Sequence, residues 1–264
     1  MSDRRTEIRR ELGLLPVWRR RAVSPVAAGA GTGSPDAAAP VAAGSPAAAA
    51  GPDPAAAAAP PADPRGARIL RMSWDELRAA VDSCRDCGLC ETRNKTAFGV
   101  GDPRAAWLFV GEGPGAEEDA KGEPFVGQAG RLLDNMLAAI GLARGNDVYI
   151  ANIVKCRPPG NRTPQPAEAR TCEPYLQRQI ELIGPKLIVA LGKTAAVHLL
   201  GREASIASLR GKVHAYRGMP LIVTYHPAYL LRSLPEKARA WEDLVFMRRQ
   251  MRELVERAGR AASA

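Results

Sequence analysis

Apolar residues follow two rhythms along this chain. Four short runs are apolar almost without interruption: Ala106–Gly111 (AWLFVG), Val148–Asn152 (VYIAN), Leu187–Leu191 (LIVAL) and Leu221–Tyr225 (LIVTY). Short runs rich in Val, Ile, Leu and aromatics predict strands buried on both faces. Elsewhere apolar positions recur every three or four residues, the period of a helix with one buried face. Ser73, with Glu76 three residues on, has the form of a capping box and opens a helix toward Asp82. Gly130–Ile140 is helical, and so is Pro166–Ile183, with Pro at its first turn and Gly184 and Pro185 as its stop. A further helix follows the third strand to Leu200, and an amphipathic helix spans Glu236–Ala258. Buried strands alternating with helices predict an α/β fold, a three-layer α/β/α sandwich around a central four-stranded parallel sheet. Ligands of such sheets bind beyond the strand C-termini. That rule singles out four loops, beginning at Gly111, Asn152, Gly192 and His226.

The pattern fails before residue 65. Residues 23–64 are nearly all Ala, Pro, Gly and Ser, with only Asp36, Asp53 and Asp63 charged. Such a stretch buries too little apolar area to offset its ordering entropy. The chain therefore divides into a basic peptide at 1–22, a disordered linker at 23–65 and a folded domain at 66–264. The peptide carries seven Arg against three acidic residues, and Ile8, Leu12, Leu15 and Trp18 would share one helical face, which Gly13 and Pro16 weaken. It reads as a solvated basic tail or as a tethered docking peptide.

Composition narrows the function classes. The net charge of +9 over 264 residues points to a polyanionic partner, and most of the surplus falls after residue 64. No run is long and apolar enough for a membrane span, and the N-terminus lacks a secretory core, so a cytoplasmic protein is expected. Five cysteines without an export signal suggest metal or cluster ligation before a disulfide framework. Cys84 and Cys87 form a C-x-x-C before the first strand, and Cys156 and Cys172 follow the second. Four thiolates in two pairs suit tetrahedral zinc or a 4Fe–4S cluster, and a redox pair is a third reading. Cys90 makes a second C-x-x-C and leaves open which sulfurs bind. Lys155–Arg162 is a long basic loop suited to phosphates.

Two loops carry further chemistry. Gly111–Gly115 (GEGPG) lets backbone N–H groups approach a ligand, although it is neither a dinucleotide nor a P-loop fingerprint. Phe125 stands just before a helix, as core or as a stacking plate for a flat ring. His226, followed by Pro, closes the fourth strand. His198 and His214 lack such a setting.

Four segments in order, Gly111–Asp119 (GEGPGAEED), Gly122–Asp134 (GEPFVGQAGRLLD), Tyr149–Thr163 (YIANIVKCRPPGNRT) and His226–Arg232 (HPAYLLR), together with the cysteines, resemble the family 4, iron–sulfur uracil-DNA glycosylases. The resemblance spans about residues 73–255. It implies a 4Fe–4S cluster on Cys84, Cys87, Cys156 and Cys172, with Cys90 spare. It implies uracil-containing single- and double-stranded DNA as substrate, hydrolysis of the N-glycosidic bond, and a monomer. Phe125 would stack on the flipped base, Asn152 would read its pyrimidine edge, and Glu118 would fill the space beside C5. His226, with the backbone N–H groups of Glu112 and Gly113, would stabilise charge on uracil O2, and Pro114 would line the substrate slot. An aspartate found in many relatives outside family 4 is replaced here by Gly113, so a strong general base is not implied: Glu112 or Glu118 would orient water, or a dissociative path would need little help from a base. Arg157, Arg162, Lys193 and Arg232 would hold phosphates, and the Tyr229–Arg232 segment, Leu231 included, would supply a wedge. The related covalent branch inserts a His-bearing basic loop after the second strand; Cys156–Asn161 has no His, so turnover is expected. A non-catalytic DNA-binding or replisome-tethered module and an iron–sulfur electron carrier are the competing readings. Residues 1–22 resemble the N-terminal peptide of the bacterial clamp-loader psi subunit, which implies a clamp-loader contact.

Overall fold

The computed structural model describes residues 64–262. The basic peptide and almost all of the expected linker lie outside the described residues. Two short helices come first, α1 (Pro64–Ile69) and α2 (Trp74–Asp82), so the first helix begins just inside the stretch assigned to the linker. The capping box at α2 is present: Ser73 N–H donates to Glu76 Oε2 at 2.8 Å.

The sheet has six strands: β1 (Val100–Gly101), β2 (Trp107–Gly111), β3 (Val148–Asn152), β4 (Leu187–Leu191), β5 (Val213–Tyr216) and β6 (Met219–Thr224). Their order is β1-β3-β2-β4-β6-β5. The expectation of a four-stranded parallel sheet is corrected here. β3, β2, β4 and β6 run parallel to one another, and antiparallel strands β1 and β5 close the two edges, making the sheet mixed. The edge strands escape the apolar pattern because they are short and only partly buried.

Alternate residues of each central strand serve opposite layers. Leu108 and Val110 of β2 pack with Leu176 and Ile180 of α5 (Pro166–Ile183) and with Ala195 and Leu199 of α6 (Lys193–Leu200). Trp107 and Phe109 pack on the other face, with Leu133 and Leu137 of α4 (Gln128–Ala139) and Leu244 and Met247 of the long C-terminal helix (Glu236–Ala262). A smaller cluster of Ile69, Leu77, Val81, Phe98 and Tyr175 ties α1 and α2 to α5. Three further short helices are α3 (Ala116–Lys121), α7 (Ile206–Leu209) and α8 (Pro227–Arg232), which makes the C-terminal helix α9.

From β2 the chain pairs outward to β3, then crosses to β4 on β2's other side. That reversal makes a crevice at the carboxyl ends of β2 and β4, where open α/β sheets take ligands.

Candidate active site

A cleft of about 540 Å³ opens at that carboxyl edge. All four expected loops reach it: Glu112–Gly115 after β2, Asn152 at the end of β3, Gly192–Thr194 after β4, and His226 after β6. The structure brings together Glu112, Gly113, Pro114, Glu118, Phe125, Asn152, Arg162, Lys193, His226 and Arg232 around this one space. Arg157 and Leu231 do not line it. Arg157 Nε donates to Asn161 Oδ1 at 2.7 Å, and Leu231 is exposed on α8. Within the expected wedge, Leu230 is core at 1% exposure, while Tyr229 lies over Tyr225 with ring centroids 5.5 Å apart.

Asn152 lies at the floor and is 1% exposed. Its Oδ1 is buried without a hydrogen-bond partner. A buried acceptor left unmade is destabilising by about 1–3 kcal/mol, so an orphan in a cleft marks a place prepared for a donor. The approach is close enough to demand glycine at 111. A Cβ there would sit 2.5 Å from Asn152 Oδ1 and 2.6 Å from the Phe125 ring.

Phe125 is buried and holds φ at 56°, left-handed backbone that is unfavourable for an L-residue by about 1–2 kcal/mol. Its ring lies 5.5 Å from that of His226, centroid to centroid. His226 caps α8: the Ala228 N–H donates to its Nδ1 at 3.1 Å. That bond requires a lone pair on Nδ1, so in the neutral ring the proton sits on Nε2. Burial, and next the Arg232 charge, push the His226 pKa down to about 4 against the opposing pull of Glu118, so the ring is neutral at physiological pH.

The acids divide by task. Glu118 Oε1 accepts the N–H groups of Val126 and Gly127 at 3.0 and 3.1 Å, and Oε2 accepts that of Gly115 at 3.0 Å. It braces the GEGPG loop against the Phe125 loop. Glu112 Oε2 accepts from Thr194 Oγ1 at 2.5 Å. Asp119 turns away into the core and holds Asn94 through its side chain and backbone N–H. At the rim, Arg162 pairs with Glu168 at 2.6 Å and Lys193 with Glu203 at 3.1 Å.

The five cysteines line a second, mostly apolar cavity behind β3, together with Lys155 and Arg93. Arg93 Nη1 lies 3.0 Å from Cys156 Sγ. Lys155 belongs to this cavity and not to a phosphate-facing loop. It is 1% exposed, its Nζ donates to Asn152 O at 2.9 Å and to Gln179 Oε1 at 2.5 Å, and burial lowers its pKa to about 8. Burial pushes the Cys156 and Cys172 thiols up to about 11 and about 12. Among the described residues no group of three His, Cys, Asp or Glu is disposed to hold a metal ion. An all-thiol donor set beside two cationic side chains still fits an anionic, sulfur-ligated cluster by its chemistry.

Sequence reasoning missed Thr194, Lys155's burial and Arg144. A helix start just beyond a strand end could have pointed to Thr194. Arg144 binds across the fold to the Phe125 loop and carries no local signal.

Residues 98–245 match the uracil DNA glycosylase superfamily. The chain is 46% identical over 167 residues to the type-4 uracil-DNA glycosylase of Archaeoglobus fulgidus, covering 60% of this chain and 83% of that protein. It is 47% identical over 161 residues to the type-4 uracil-DNA glycosylase of Thermotoga maritima, with the same coverage. To the type-5 uracil-DNA glycosylase of Thermus thermophilus it is 33% identical over 151 residues, 48% of this chain and 67% of that protein. With the matched residues containing all four loops of the cleft, the chain belongs to the uracil DNA glycosylase superfamily and to its type-4 branch.

Proposed function

We propose that the protein is a monofunctional uracil-DNA glycosylase that hydrolyses the N-glycosidic bond of a flipped-out deoxyuridine, releases uracil and leaves an abasic site in single- or double-stranded DNA. The buried, unpartnered Oδ1 of Asn152 beside the Phe125 ring carries this reading. Once the base has left the stack, Phe125 and the Gly113–Pro114 backbone bound a flat slot. Asn152 accepts from uracil N3–H and donates to O4. Cytosine presents the opposite pair and leaves buried groups unmatched, at about 1–3 kcal/mol each. Glu118, held by three backbone N–H groups, is assigned to the wall beside C5, which excludes the thymine methyl.

Bond breaking builds positive charge on the sugar and negative charge on O2. The neutral His226 donates from Nε2 to O2, and backbone N–H groups at Glu112 and Gly113 add to it. Donors aimed at developing charge lower the barrier more than they stabilise the bound substrate. Thr194 takes one oxygen of Glu112, and the other is assigned to orienting the attacking water. Arg157, Arg162, Lys193 and Arg232 serve the phosphates, with Leu231 entering the vacated stack.

Cys84, Cys87, Cys156 and Cys172 are assigned to a 4Fe–4S cluster. When bound, such a group supplies a covalent cross-link that pins the segment after α2 to the loop beyond β3. Residues 1–22 are our proposed docking peptide for a replication clamp loader, separable from the chemistry.

The test is uracil release from single- and double-stranded oligonucleotides carrying one deoxyuridine. Unsubstituted protein is expected to release it, and Asn152→Ala to slow single-turnover release about a hundredfold. No release by iron-replete protein, or tight binding without turnover, would favour the non-catalytic module instead.

A further inference from the structure

The left-handed backbone at Phe125 is held by several groups at once. Arg144 lies between α4 and β3, far from Phe125 in sequence. Its Nη1 donates to Pro124 O at 2.9 Å and its Nη2 to Phe125 O at 2.7 Å. The same guanidinium is oriented by Asp134 on α4, at 3.0 Å from Nη2 and 3.1 Å from Nε. The same Phe125 carbonyl also lies against α4 at Gly130, where a Cβ would stand 1.8 Å from Phe125 O. Glu118 takes the next two N–H groups, those of Val126 and Gly127. The φ of 56° at Phe125 is thus fixed by a fork across two consecutive carbonyls, a helix with no side chain at the contact, and a carboxylate.

We propose that Arg144 is a positioning residue for the reaction: it clamps the Pro124 and Phe125 carbonyls and so holds the aromatic plate upright before the base arrives. The inference rests on the reading that Phe125 stacks on uracil. A planar guanidinium spans two carbonyls with fixed geometry, whereas an ammonium keeps the charge beside Asp134 but not the fork. Without the clamp the unfavourable backbone relaxes, the ring leaves its place beside Asn152 and His226, and the slot loses one wall. Arg144 would act only through Phe125 and would touch neither DNA nor base.

A double-substitution cycle on the full chain tests this, with single-turnover uracil release, inhibition by free uracil, and binding to an abasic-site duplex as readouts. Arg144→Ala and Arg144→Lys should each slow release roughly ten- to a hundredfold, as a small misplacement of a reacting ligand does. Free uracil should inhibit both variants more weakly by a similar factor, while abasic-site binding stays unchanged. In a Phe125→Ala background Arg144→Ala should add nothing, since residues acting as a unit are not additive. The proposal is overturned if Arg144→Lys releases uracil at the unsubstituted rate, or if Arg144→Ala slows release equally in both backgrounds. Failure of the unsubstituted protein to release uracil would overturn the glycosylase reading itself, and is distinguished by needing no variant. Melting curves on all variants show whether Arg144→Ala folds; if it does not, Arg144→Lys carries the cycle.

Discussion

At the carboxyl end of β3 the chain passes within a few residues from one polar environment to another. Asn152 faces the cleft with its Oδ1 unpaired, and His226 nearby keeps Nε2 for the same space. Behind the strand, Lys155 is bound to two acceptors, Arg93 touches Cys156, and Gln179 continues the chain of bonds by donating to Phe98 O at 2.9 Å. One side keeps the buried Asn152 Oδ1 unpaired, and the other pairs Lys155, Arg93 and Gln179 within the protein. Lys155 joins the two, because the carbonyl it binds belongs to Asn152. Substitutions should therefore act differently on the two sides: in the cleft on turnover before stability, and in the cysteine cavity on stability before turnover.

Cys156→Ala should have the largest effect. It removes a sulfur packed in the core and leaves Arg93 Nη1 without its partner, and in the proposed cluster loss of one ligand would release the pinned loop. On the proposed cluster assignment, the variant should purify without the iron and brown colour expected of the unsubstituted protein, and should melt well below it. Full iron content and an unchanged melting temperature in this variant would break the contrast at its stronger end.

His226→Ala comes next, and should slow release by about a hundred- to a thousandfold, the range for one donor at a developing oxyanion. Its pH dependence sharpens the comparison. The folded imidazole titrates at about 4, the unfolded one near 6.5. The unfolded state therefore binds its proton first as pH falls. The stability of the neutral ring is complete above about pH 6.5 and is lost as pH drops through about 4. Release should stay flat from pH 8 to about pH 5, with no step near 6.5. A half-activity point near 6.5, abolished by His226→Ala, would mean that the ring titrates as an exposed histidine and that the cleft is wetter than its burial implies.

Legibility in the sequence followed the same division. Strand β4 and helix α5 appear with their expected bounds, since long apolar runs and a Pro-to-Gly frame admit few alternatives. The cleft loops were legible because parallel strands put their carboxyl ends on one edge. Strand β5 was not, because only Tyr216 of its four residues is buried, and its two-residue turn uses Arg217 at φ 47° in place of the usual Asn or Asp. Lys155 was misread for a physical reason: a lysine in a basic loop looks solvated, and only the tertiary fold supplies the acceptors that let it be buried. Arg144 belongs to the same class, since the Pro124 and Phe125 carbonyls that it clamps carry no residue identity.

Cys90→Ser should have the smallest effect, and it bears on the one ambiguity the spacing left open. Cys84, Cys87 and Cys90 recur at intervals of three, and all reach the cavity, so proximity alone does not select two of them. The backbone distinguishes them. Cys87 is in extended conformation ahead of the 3-10 turn Gly88–Cys90, and the Cys90 N–H donates to Cys87 O at 3.2 Å. Cys90 therefore ends a turn that Cys87 begins. Burial raises the Cys87 thiol, as it does Cys156 and Cys172. With Cys90 spare, Cys90→Ser keeps full iron content, visible absorbance and uracil release, whereas Cys87→Ser loses iron. The reverse pattern would exchange the two assignments; iron loss from both would mean that Cys90 also supports the cluster, and the cavity would then hold five functional sulfurs.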